Sequence, residues 1–112
     1  MLIFSIILFA VAAVLGLTVA IALLRKKETS KPVALAHGAL GAAGLVLLLL
    51  HALAHPQRML TIAVGLFVVA ALGGFVLLAN DLRRKPGPVY LIVVHAVVAV
   101  VAFGLVLLAA RG

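Results

Sequence analysis

"KPVALAHGALGAAGLVLLLLHALAHP", Lys31–Pro56, decides the fold. Between Pro32 and His55 it runs from Val33 to Ala54 without a single Asp, Glu, Lys or Arg. At about 1.5 Å per residue, such a run crosses a hydrocarbon core of roughly 30 Å as one helix. Three further runs of the same kind, Leu2–Leu24, Leu60–Ala79 and Val89–Ala110, fill most of the remaining sequence. With 68% hydrophobic residues and a mean hydropathy of +1.47, a chain of 112 residues has too little interior to hide its apolar surface from water. The sequence therefore predicts an all-α, four-helix transmembrane up-down bundle, with helices near 2–24, 33–54, 60–79 and 89–110. Nothing alternates in polarity as a membrane β-strand would. No basic residue follows Met1 ahead of the first run, and Arg25-Lys26-Lys27 comes after it, which reads as a retained anchor rather than a cleaved signal.

The net charge of +7 raises the question of nucleic acid, and its placement answers it. Arg25, Lys26, Lys27 and Lys31 lie in the first loop, and Arg83, Arg84 and Lys85 in the third. Only Arg58 is in the middle loop and only Arg111 at the C-terminus. This asymmetry follows the positive-inside rule. The expected partner is the lipid bilayer, not nucleic acid, with basic loops in the cytoplasm touching anionic headgroups and both termini on the other side. Cysteine is absent, so no thiolate is offered to a metal or cluster.

Sliding the chain by 58 residues lays 2–52 on 60–110 without a gap, and 15 of the 51 pairs are identical. "LFAVAAVLG" (Leu8–Gly16) meets "LFVVAALGG" (Leu66–Gly74), Leu24-Arg25 meets Leu82-Arg83, and Lys27 meets Lys85. The reading is two tandem helical hairpins within a single transmembrane domain, related by a pseudo-twofold axis along the membrane normal. The same shift superimposes His37 on His95. In an up-down bundle the second and fourth helices occupy opposite corners. Both imidazoles then approach the axis from opposite sides, roughly 7–10 Å inside the basic face at 1.5 Å per residue.

Two imidazoles converging on the axis of a helical bundle are a ligand set for one haem b, with His37 and His95 as axial ligands of the iron. Gly38, Gly41 and Gly44, opposite Ala96, Ala99 and Ala102, would let a flat macrocycle approach the backbone; Arg25, Lys26, Arg83 and Arg84 are candidates to meet its propionates. Thr18 is a candidate acceptor for the second imidazole proton, with a local carbonyl as the alternative. Small residues also line ordinary helix contacts in membranes, and the two histidines could instead hydrogen-bond to each other or to water.

His51 lies fourteen residues beyond His37, on nearly the same helix face, with Gly41 and Gly44 between them. This spacing resembles the haem-ligand helices of bc-type cytochrome b, in which two helices each carry histidines fourteen apart and bind two stacked haems. The resemblance covers about fifteen residues and implies haem ligation by His37. It fails at the second site, because the position opposite His51 is Ala109. His51 and His55, four residues apart, form a weaker alternative metal pair with no acid or thiol beside them.

Three function classes follow. The first is a b-type cytochrome passing electrons through one bis-histidine haem, expected as a small subunit of a larger membrane complex or as a homo-oligomer. The second is a cofactor-free accessory or scaffold subunit, which would tolerate loss of either histidine. The third, a small multidrug-type transporter, needs an intramembrane acid, whereas the chain's only acids, Glu28 and Asp81, sit at loop edges. An independent enzyme is not expected. The chain resembles small four-helix bacterial membrane proteins, which implies the bacterial inner membrane, and its Ala, Val, Leu, Gly and Arg-rich vocabulary fits a bacterium of high genomic GC content.

Overall fold

The computed structural model describes residues 1–112 as four helices and no strands: α1 (Leu2–Leu24), α2 (Lys31–Ala54), α3 (Arg58–Leu82) and α4 (Val89–Arg111). Of 92 backbone hydrogen bonds, 79 lie inside the helices, so the apolar spans carry almost no open backbone polarity. Lipid requires this, since it offers the backbone no partners. Only 15 of 112 residues are buried, while 30 large apolar side chains, from Met1 to Leu108, face outward. Each helix is long and apolar enough to span a bilayer, and the longest dimension, 41 Å, matches a membrane with its interfacial regions, about 40–45 Å. The fold is that of a multi-pass membrane protein.

Helix ends follow local chemistry. Pro32, in the first turn of α2, has no N–H to leave unpaired. His55, at φ −132° and ψ 75°, has left the helical region before Pro56, which stops α2. At the far ends of α1 and α3 the two repeats end alike. Arg25 and Arg83 share φ −85°, and Lys26 and Arg84 turn left-handed at φ 56° and 58°. The closing bonds also match across the 58-residue shift: Lys27 N–H to the Ala22 carbonyl and Lys85 N–H to the Asn80 carbonyl, both 2.9 Å. Relative to the sequence reading, α2 starts two residues earlier and α3 runs from Arg58 to Leu82, because polar residues at the membrane boundary continue the helical ladder.

Each hairpin packs closely within itself, α1 on α2 and α3 on α4. The hairpins meet more sparingly through α2–α3 and α1–α4, which leaves α1/α3 and α2/α4 on the diagonals. At the end nearest the termini the bundle is solid, around Leu48, Leu60, Ala63, Phe67, Ala102 and Val106. Phe9 and Phe67, repeat counterparts, stack across one diagonal with ring centres 4.0 Å apart and planes 3° from parallel. Phe103 meets Phe9 edge-on. Above this aromatic floor the hairpins part.

Candidate functional site

The space between the parted hairpins is a cavity of ≈ 740 Å³, floored by Phe9, Phe67 and Phe103 and reaching Leu23, Asp81 and Ile92 at the basic end. Its volume lies within the range of pockets that hold small molecules and cofactors, about 300–1,000 Å³. Its walls are almost wholly apolar, and His37 and His95 both stand in them.

The two imidazoles face one another across the α2/α4 diagonal, with ring centres 6.3 Å apart and planes at 88°. His37 donates Nδ1–H to the Ala12 carbonyl of α1, and His95 donates Nδ1–H to the Ala70 carbonyl of α3, both at 2.7 Å. Ala12 and Ala70 are repeat counterparts, as are the histidines, so one local device occurs twice. With Nδ1 as donor, the neutral ring presents Nε2 as a free lone pair. The rings share no hydrogen bond with each other, and neither Nε2 is bonded to any other group.

Glycine makes the reach possible. Gly16 and Gly74 sit one helical turn beyond the accepting carbonyls of Ala12 and Ala70, and each ring lies over its glycine. A Cβ on Gly16 would come within 2.6 Å of His37 Cε1 and 2.9 Å of Nδ1; one on Gly74 would lie 3.0 Å from His95 Cε1. Sequence reasoning missed both glycines and both alanines as parts of the site. The signal was present, because Ala12, Gly16, Ala70 and Gly74 all fall in the best-matched block of the repeat.

The remaining candidates are distributed as follows. Gly38, Gly41, Ala96 and Ala99 line the cavity. Gly44 and Ala102 do not: both are buried below it, in the helix contacts. Gly44 packs its backbone against Phe9 and accepts a 2.9 Å hydrogen bond from Ser5 Oγ. Ala102 belongs to the solid core. Thr18 is exposed and bonds to the Val14 carbonyl of its own helix, so the imidazole proton goes to Ala12 instead. Arg25 and Arg83 are exposed and line no cavity, whereas Lys26 and Arg84 line a second, polar recess above the first. His51 and His55 stack at 4.7 Å on the far end of α2, and no further His, Asp or Glu joins them in a group able to hold a metal. Ala109, opposite His51 in the repeat, is buried in the core.

The donor set and space fit a haem. Each imidazole would offer its Nε2, the nitrogen left free of the backbone hydrogen bond, to the iron of such a group. Compared with known protein families, curated proteins and solved structures, the chain matches none.

Proposed function

We propose that this protein is an integral membrane b-type cytochrome that holds one haem between His37 and His95 and carries electrons, as a small subunit of a larger membrane complex. The observation that carries the reading is the His37–His95 pair: two repeat-related imidazoles, each anchored through Nδ1 to a backbone carbonyl, facing each other across an apolar cavity. A purely structural pair could hydrogen-bond ring to ring, whereas each of these imidazoles is tied to the backbone of a different neighbouring helix. The rings stay apart, 6.3 Å between centres, with no hydrogen bond between them.

When bound, the haem supplies one-electron chemistry at its iron. The chain's own residues do the rest. The Ala12 and Ala70 carbonyls fix each imidazole's tautomer and orientation and raise its basicity as a ligand. Gly16 and Gly74 leave the space in which each ring lies. Phe9 and Phe67 close the cavity toward the solid half and exclude water from below. His51, with Ala109 opposite it, has no partner for a second haem. The charge asymmetry of the loops supports a bacterial cytoplasmic membrane location, basic loops inside and both termini outside.

The test is a reduced-minus-oxidised difference spectrum of protein purified from haem-replete cells. A low-spin b-type spectrum with a strong Soret band is expected. Protein without a Soret band would favour the cofactor-free scaffold.

A further inference from the structure

Above the haem-sized cavity lies a second recess of ≈ 510 Å³, walled by the ends of α1 and α3 and the start of α4. Five basic side chains line it: Lys26, Lys27, Lys31, Arg84 and Lys85. Two carboxylates, Glu28 and Asp81, line it as well. Asp81 is already engaged, by Lys31 Nζ at 3.0 Å and by the Thr29 hydroxyl. That is the only ion pair in the molecule, so Lys26, Lys27, Arg84 and Lys85 face one recess with no carboxylate in contact. Gathering like charges around a concavity raises its potential and calls for an anion. The backbone adds to this. Lys26 and Arg84 hold the left-handed position that closes a helix, where glycine is the usual residue. Both repeats accept that strain and place a cation there. The N–H groups opening α4 add positive potential, since no side chain caps them. Leu24 and Val89, which also line the recess, are exposed and apolar.

We infer that this recess is a binding site for the phosphodiester headgroup of an anionic phospholipid, with Lys26 and Arg84 as its repeat-related principal contacts. Basic pockets between membrane helices recognise such headgroups, and the apolar rim accommodates the acyl chains. The site stands independently of the haem reading.

The test is native mass spectrometry of the chain released from nanodiscs of zwitterionic lipid doped with cardiolipin or phosphatidylglycerol. The wild-type chain should retain anionic lipid at least tenfold over zwitterionic lipid. The double variant Lys26→Gln/Arg84→Gln should lose that preference. Arg25→Gln/Arg83→Gln removes the same charge at adjacent positions outside the recess and should keep it; circular dichroism establishes that both variants fold. Equal loss in the two variants would reduce the effect to general basicity and overturn the site. Displacement of the lipid by millimolar inorganic phosphate would overturn it in favour of a free-anion site. Displacement on loading with haem would assign the recess to the macrocycle's carboxylates instead.

Discussion

The two ends of this bundle are built from the same four helices and solve opposite problems. Toward the termini, Leu48, Leu60, Ala63 and Val106 are buried to 1% exposure or less, and the hairpins interlock. Toward the basic loops the same helices separate around a ≈ 740 Å³ cavity, and two imidazoles stand in its walls. Lipid tails are as apolar as leucine, so membrane helices associate through close packing and polar contacts rather than hydrophobic exclusion. A gap of this size forfeits packing on every wall. The solid half therefore carries the stability, and the open half is free to be shaped for a guest.

The largest effect separating the two halves should come from the histidines. His37→Ala or His95→Ala should abolish the low-spin haem spectrum, while His51→Ala, in the solid half, should leave it intact. A spectrum that survives loss of His37 but not of His51 would place the ligands at the wrong end.

Stability should respond the other way. Leu48→Ala, at full burial, should destabilise the protein by about 2–5 kcal/mol in detergent unfolding. Leu35→Ala, in the cavity wall and half-exposed, should stay within about 0.5 kcal/mol in the haem-free protein. Similar losses at the two sites would mean that the open half is packed after all.

Next come the glycines under the rings. Gly16→Ala should push His37 from the Ala12 carbonyl and cost about 1–3 kcal/mol by overpacking. Gly74→Ala should be milder, since its Cβ would have 3.0 Å where Gly16's has 2.6 Å. Gly38→Ala meets nothing within 4 Å and should leave the fold unchanged. If the protein holds a haem, Gly16→Ala should also perturb its low-spin spectrum, because His37 would lose its anchor on the Ala12 carbonyl; an unchanged spectrum would show that Gly16 does not position the ring.

A modest loss is predicted at Ser5. Its hydroxyl bonds to the Gly44 carbonyl in the solid half, yet the second repeat has Ala63 and Ala102 at these two places and packs them fully. Ser5→Ala should cost only about 0.5–1 kcal/mol in thermal unfolding, the usual worth of one such bond in a membrane.

The helices were legible in the sequence because lipid permits few alternatives: four uncharged runs of spanning length can only be helices. The His37–His95 pairing was legible because histidine is rare here and the 58-residue shift is free of gaps. The distribution of small residues was not. Glycine and alanine recur all along α2 and α4, and composition alone does not separate Gly41, in a cavity wall, from Gly44, under Phe9. That depends on where the Phe9–Phe67 stack cuts the axis, which is a tertiary fact. The roles of Gly16 and Gly74 were hidden for another reason. Their partners, the carbonyls of Ala12 and Ala70, are backbone atoms that every residue carries. Arg25 and Lys26 look interchangeable as neighbours in a charge run, but Lys26, at the left-handed turn, lines the recess and Arg25 does not.

The most direct measurement is pyridine haemochrome quantification of haem per chain in purified wild-type protein and in His37→Ala. One haem b per wild-type chain and none in the variant is the predicted result. No haem in the wild type, or equal haem in both, would contradict ligation by the His37–His95 pair.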